Sequence, residues 1–293
     1  MSNKEKNHTD AINNLLACTA CGSSLTQSNA AWVCDNCGKN FSQVAGVFLT
    51  DEVVPPSFFD TEHENMLEGK KDQGTLDVFY SAQCQYLLEL AATRSPGLIV
   101  DIGCGPTLPY ISPEGWGVVG VDPSLQSICK NELASLKLQA KAQSMPIQSG
   151  AVDIVVCFYS IHHMTVRSVA QNRASVKATL KEIQRVLKPD GLLVVFEVNP
   201  RQPFLWIQQK FWGLAKSLLG HRLDAYFWGK QEFPELVRES LGEVQVVTRE
   251  FVAPSGAKFP PVINLPWLRI PRNLYPFSVS AYTIYAAPHG GKQ

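Results

Sequence analysis

The stretch Leu98-Ile99-Val100-Asp101-Ile102-Gly103-Cys104-Gly105-Pro106 constrains this chain more than any other. An apolar run ends on an acid and turns sharply on two glycines. A short buried strand with a glycine turn at its carboxyl end is how an open α/β sheet brings backbone amides up to a nucleotide-like ligand. The next apolar run, Gly117 to Val121, ends in Asp122, 21 residues after Asp101. An acid at the tip of a second strand is placed to bind the hydroxyls of an adenosine ribose. A nicotinamide-dinucleotide reading fails on two residues. The third glycine of G-x-G-x-x-G would fall at position 108, which is Leu108. Asp101, in turn, would repel a pyrophosphate and attract a cationic amino group.

Asp101 to Gly105 resembles the D-x-G-x-G motif of class I S-adenosylmethionine methyltransferases, nearest to the broad type 11 group that includes quinone-biosynthesis methyltransferases. The resemblance covers the chain from Phe59 to its carboxyl end. It implies S-adenosylmethionine as cofactor and an α/β fold on a seven-stranded Rossmann-like sheet. The last two strands, Glu243 to Val252 and Ser278 to Ala287, would form an antiparallel hairpin. Cofactor binding is expected at Asp101, Gly103, Cys104, Gly105, Asp122, Pro123, Gln143, Met145 and Tyr159. Lys141 to Pro146 corresponds to the family's D-A-x-x-L-P segment, with Lys141 at the place of the acid that contacts the adenine. The adenine would then rest on backbone groups around Ala142-Gln143 and on apolar cover from Met145.

Eight cysteines divide unevenly. Cys18, Cys21, Cys34 and Cys37 make two C-x-x-C pairs, each followed by a glycine able to fold amides back over thiolates. Two such knuckles about a dozen residues apart match a Cys₄ zinc ribbon. Cys84, Cys104, Cys129 and Cys157 are scattered, as reduced core cysteines often are. The expected organisation is a loose tail over 1–14, the ribbon over 15–50 with a closing strand from Phe41 to Thr50, a linker over 51–58, and the methyltransferase-like domain over 59–293. The ribbon would act as a structural cap on its neighbour, because only Lys39 supplies a cation inside it.

Twenty-six basic and 26 acidic side chains cancel, so no whole-protein field draws the chain to nucleic acid. With a polar amino terminus and no apolar run of membrane-spanning length, the expectation is a soluble, cytoplasmic protein. The 45% hydrophobic share is enough for a full α/β core.

Helical spacing places helices at Thr75–Thr93, Ser124–Lys137 and Lys177–Leu187, the last stopped by Lys188-Pro189-Asp190-Gly191. Tyr80 and Gln83 on the first of these read as core or surface residues rather than cofactor contacts. Pro106, Pro109 and Pro113 predict a short or irregular first crossover. A fourth strand, Val152–Phe158, opens into Tyr159-Ser160-Ile161-His162-His163-Met164, a loop that should face the transferred methyl group. His162, preferred over His163, is the candidate base, Tyr159 an orienting hydroxyl, and Glu197, at the end of the fifth strand Leu192–Val198, a further polar group. His8, His63, His221 and His289 have no supporting context.

Two insertions, 200–230 and 254–277, are rich in aromatic residues. Either they pack on the domain, or they form a lid over an apolar substrate, with 204–219 touching a membrane surface and Lys210, Lys216, His221 and Arg222 near the headgroups. Three functions fit: methyl transfer to a small, largely apolar metabolite or lipid; methylation of rRNA or tRNA recognised by the ribbon; or a non-catalytic zinc-ribbon adaptor.

Overall fold

The computed structural model describes residues 15–28, 31–50, 75–220, 223–251 and 276–285. The tail, the linker, nearly all of the second insertion, His221 and Arg222 lie outside them.

Strands β5 (Leu98–Ile102) and β6 (Gly117–Asp122) are buried at every position. That is what apolar runs become when a parallel sheet is covered on both faces. With β7 (Leu136–Gln139), β8 (Val152–Phe158), β9 (Leu187–Pro200), β10 (Gln245–Phe251) and β11 (Phe277–Tyr285) they form the order β7-β6-β5-β8-β9-β11-β10. The first five are parallel, while β11 runs antiparallel to both β9 and β10. The expected seven strands and terminal hairpin are thus present. The chain winds outward from β5 to β7 and then crosses back to β8. Its switch point lies between the carboxyl ends of β5 and β8, where open α/β sheets bind ligands.

Alternation along the strands sorts side chains onto two faces. Ile99, Val118, Ile154, Val194 and Phe196 meet Leu87 and Ala91 of helix α1 (Thr75–Ala92) and Ile128 of α2 (Leu125–Cys129). Val100, Val121, Val155 and Val195 meet α3 (Val169–Val186), through Leu180 and Ile183, and α5 (Glu232–Leu241), through Phe233 and Val237. Each such Val, Leu or Ile contributes roughly 1.5–3 kcal/mol by leaving water. Helix α4 (Phe204–Leu219) lies on the outside and buries only Trp212 of its side chains. No helix among the described residues is long and apolar enough to cross a membrane.

The sheet is longer than seven strands. The ribbon's strands, β1 (Leu25–Ser28), β2 (Ala31–Cys34), β3 (Asn40–Val44) and β4 (Val47–Leu49), continue it to eleven. β4 pairs in parallel with β7, Phe48 opposite Leu138. Backbone bonds from Ala17 N–H to Pro146 O (3.0 Å) and Gln148 N–H to Leu15 O (2.8 Å) add a second attachment. Leu15, Leu16, Trp32, Phe41 and Phe48 belong to the same buried cluster as Leu138, Met145 and Ile147. The ribbon is therefore part of the domain's core.

Several expected boundaries shift. Phe41–Thr50 is not one strand but β3 and β4, because Ala45 and Gly46 both take positive φ (49° and 76°), the signature of a tight type I′ hairpin turn. The helix expected over Ser124–Lys137 ends at Cys129. There Asn131, fully buried, accepts from Leu133 and Ala134 N–H (3.2 and 3.0 Å), and its amide donates to Gly105 O (3.1 Å). Those side-chain bonds replace helical ones and turn the chain into β7. Helix α3 starts eight residues before the expected Lys177, at a capping box of Ser168 and Gln171. No helix forms between β5 and β6, as the three prolines require. α5 went unassigned in the sequence. Replacing Asn131 by Ala orphans two backbone N–H groups and should cost about 2 kcal/mol in denaturant unfolding. An unchanged midpoint would refute this account of the turn.

Candidate active site

At the end of β5, Gly103 has φ 71° and Gly105 φ 57°. A Cβ on Gly103 would lie 2.5 Å from Ser160 Cβ, so the turn is pressed directly against the loop after β8. Neither the conformation nor the space admits a side chain there. Gly103 N–H donates to Val121 O (2.7 Å), and Gly105 N–H to Asp122 Oδ2 (2.9 Å). The other Asp122 oxygen accepts from Ser124 N–H (2.8 Å), while Ser124 Oγ caps α2 by accepting from Ser127 N–H (3.1 Å). Pro123 O is held by Gln139 Nε2 at 3.1 Å. Cys104 is buried behind the turn, and its sulfur sits where a Cβ on Gly120 would meet it at 2.8 Å. Burial pushes its thiol well above the ordinary range, so it stays a neutral packing group.

Asp101 is 1% exposed, and its Oδ2 has no hydrogen-bond partner. Burial pushes its carboxyl up to about 8, opposed by Tyr110 and reinforced by the charge of Asp122. The Tyr110 hydroxyl, also buried, likewise lacks a partner in hydrogen-bonding geometry. A buried carboxyl oxygen left without a partner is costly unless a donor or a cation completes it.

In the loop after β8, Tyr159 has φ 54°, strained for a non-glycine residue. Its hydroxyl donates to Gln83 Oε1 at 2.7 Å, and its ring meets the edge of Tyr80 at 5.7 Å. Burial holds that hydroxyl well above its usual range, so it orients and does not ionise. Gln83, only 1% exposed, is the inward anchor that fixes it.

The adjacent histidines part company. His162 is buried, with Nδ1 2.7 Å from Oε2 of Glu197, whose Oε1 accepts the His162 backbone N–H (3.2 Å). Glu197 is fully buried in β9. A carboxylate on Nδ1 fixes the tautomer and leaves Nε2 as the proton acceptor. The ring lies 5.0 Å from that of Phe227. His163, its ring 4.2 Å from that of His162, takes a different partner, donating from Nδ1 to Asp224 O at 2.9 Å. Gln143 donates to Ser175 Oγ at 3.1 Å, and Met145 lies in the core with its N–H on Glu182 Oε1 at 2.7 Å. These two sit against α3, which leaves the immediate turn to Asp101, Gly103, Gly105, Asp122 and Tyr159. The sequence reading missed Tyr110, for which no signal exists, and the coupling of Glu197 to His162. An acid inside the run Leu192–Val198 was the available clue for the latter.

A second cluster holds the four ribbon thiols, all within 4.8 Å of one another. Cys18 and Cys37 sulfurs are 3.6 Å apart, and Cys21 and Cys34 3.4 Å. Ala20 and Cys37 N–H groups donate to Cys18 and Cys34 Sγ, each at 3.4 Å. Four converging sulfurs with amides folded over them are compatible with a zinc ribbon.

Residues 100–195 match the methyltransferase-domain family model. An uncharacterised methyltransferase of Bacillus subtilis, YcgJ, is 29% identical over 133 residues, 41% of this chain and 48% of that protein. The ubiquinone/menaquinone biosynthesis C-methyltransferase UbiE of Campylobacter jejuni is 32% identical over 88 residues, 29% of this chain and 34% of its own. The chain thus spans about half or less of the length of these relatives. Among solved structures, a geranyl diphosphate methyltransferase complexed with geranyl diphosphate and sinefungin aligns with TM-score 0.51. That alignment is at 15% identity and covers 71% of this chain and 78% of that one, a likeness of fold. Residues 100–195 are thus similar to a methyltransferase domain, and the chain around them has an α/β fold like that of solved methyltransferases.

Proposed function

We propose that this protein transfers a methyl group from S-adenosylmethionine to a small, largely apolar acceptor, with a structural zinc in its ribbon. The observation that carries the reading is the buried carboxyl of Asp101 at the glycine turn, whose Oδ2 has no hydrogen-bond partner. It fits the cationic amino group of that cofactor, and Asp122 at the tip of β6 fits its ribose. Gly103 and Gly105 let backbone approach closely, and Tyr159, pinned by Gln83, borders the same turn. Pro123, Gln143 and Met145 would flank the adenine side. When bound, the cofactor supplies a methyl group on an already activated sulfonium.

The chain's own contribution is alignment, exclusion of water and removal of a proton from the acceptor. His162 Nε2 is the proton acceptor, and Glu197 stabilises the imidazolium that results. Tyr159 remains neutral and orients. His163 positions the 223–228 segment through Asp224 rather than taking a proton. Phe227 beside His162, itself 5.4 Å from Phe277, gives the acceptor side an apolar wall. Integration of the ribbon into the core supports a structural cap over an RNA-recognition module.

Incubation with methyl-labelled cofactor and cell extract should put label in the organic fraction, and label confined to RNA would overturn the choice of acceptor. His162→Gln should lower kcat by 10²–10⁴-fold with little change in KM, and Glu197→Gln by a smaller factor. An unaltered kcat in both would remove the base assignment.

Asp101 must lose a proton to meet a cation, and its raised value means that this loss is incomplete below about pH 8. Affinity for S-adenosylhomocysteine, measured by calorimetry, should rise up to about tenfold per unit as pH climbs towards 8, then level off. In Asp101→Asn the slope should vanish and affinity drop by about ten- to a hundredfold.

Zinc analysis should find one metal per chain. Cys21→Ser, at an exposed ligand, should release it and lower the melting temperature of the whole domain in a single transition, because the cores are shared. A separate early transition would show the ribbon to be independent.

A further inference from the structure

Helix α4 is attached by one side and apolar on the other. Trp212 is buried beneath it, and its indole meets Tyr226 edge-on at 5.0 Å. Gln208 clasps Phe227 through both its backbone groups, accepting from N–H at 3.0 Å and donating to C=O at 2.7 Å. The outward stripe, Ile207, Phe211, Leu214 and Leu218, follows i, i+4, i+7, i+11 spacing and is 45–76% exposed. A contiguous apolar stripe of this kind on a helix with a satisfied opposite face marks an interaction surface.

Charge decides what fits it. From Arg201 to Leu219 the cations are Arg201, Lys210 and Lys216, with no acid, in a chain whose total charge is zero. Lys216, expected near the headgroups, instead turns inward and donates to Leu223 O at 2.7 Å beside Asp224, which leaves Arg201 and Lys210 exposed. Lys210 stands exposed with its ammonium 4.8 Å from the ring of Trp206, itself half exposed. The acid packed against the helix, Glu232, is already engaged by Arg173 (3.2 Å) and by Gln209 (3.2 Å) on the flank away from the stripe. A second copy of this face would bring like charges together, whereas anionic headgroups would be attracted. An apolar stripe, a basic flank and a Trp at their border together describe a helix lying in the plane of a lipid interface.

We infer that α4 docks this protein on an anionic lipid bilayer, Ile207, Phe211, Leu214 and Leu218 entering the acyl boundary and Lys210 contacting the headgroups. The helix touches the candidate site from its other side: α4 holds Phe227 by Gln208, and Phe227 lies against His162. Docking would therefore leave the acceptor side of the site separated from the lipid surface by the width of α4. The binding itself does not depend on methyl transfer.

The test is flotation of the full chain with phosphatidylcholine vesicles, with or without an equal share of phosphatidylglycerol. Expected is binding that requires phosphatidylglycerol, weakens with salt and shifts Trp fluorescence to the blue. Phe211→Glu with Leu214→Glu should reduce partitioning by about tenfold or more, with circular dichroism and affinity for S-adenosylhomocysteine unchanged since both residues face solvent. Lys210→Glu should weaken it by a smaller factor. No binding to anionic vesicles, or full binding by the double variant, would overturn the inference. So would a dimer in sedimentation that the double variant dissolves, since the stripe would then be a contact between copies.

Discussion

The architecture turns on one close approach. Gly103 leaves β5 in a left-handed conformation and passes so near the β8 loop that a methyl group would collide with Ser160. That contact joins the two strands flanking the switch point of the sheet, and it leaves Asp101 stranded just behind the turn. The polar groups of the candidate active site are arranged around that turn, apart from the thiol cluster of the ribbon. Asp122 ties the turn to β6 through Gly105, Asn131 ties it to the entry of β7, and Tyr159 is strained into place on its far side. A buried carboxyl oxygen without a partner is a cost to the fold, retained at the turn between β5 and the loop after β8.

The ribbon shows how a short cysteine-rich segment acquires stability from a neighbour. It is too short to close a core of its own, but Leu15, Leu16, Phe41 and Phe48 enter the larger core, and β4 extends the sheet beyond β7. Metal ligation would hold the loops around Cys18 and Cys34, while the domain supplies the apolar burial. Two further consequences follow from the placement. The exposed edge of β7 is covered, as sheet edges generally must be, and the 145–148 segment is clamped between the ribbon and α3.

The two histidines illustrate how adjacent identical residues diverge. One residue of offset in a single 3₁₀ turn, Ile161–His163, sends His162 inward to Glu197 and His163 across to Asp224. Only the first gains a buried carboxylate, which orients its ring and directs Nε2 away from Glu197. The same segment that receives His163 carries Phe227, so the proposed base, the aromatic wall and helix α4 form one connected unit.

The sequence by itself determined the sheet, the glycine turn and the thiol cluster, because each is written in local terms. Short apolar runs ended by a glycine turn or an acid read as buried strands, Gly103 and Gly105 mark positive φ, and paired C-x-x-C spacing specifies knuckles without help from the rest of the chain. It also foresaw the irregular first crossover, since three prolines forbid a helix whatever packs around them. What the tertiary structure alone decided depends on groups far apart in the chain. Helix α2 stops at Cys129 because Asn131 finds Gly105, β4 is a sheet strand because β7 offers it an edge, and His162 differs from His163 because Glu197 lies 35 residues on. Periodicity cannot register such bonds, since a polar side chain carries the same local pattern whether its partner is water or a buried atom brought to it by the fold.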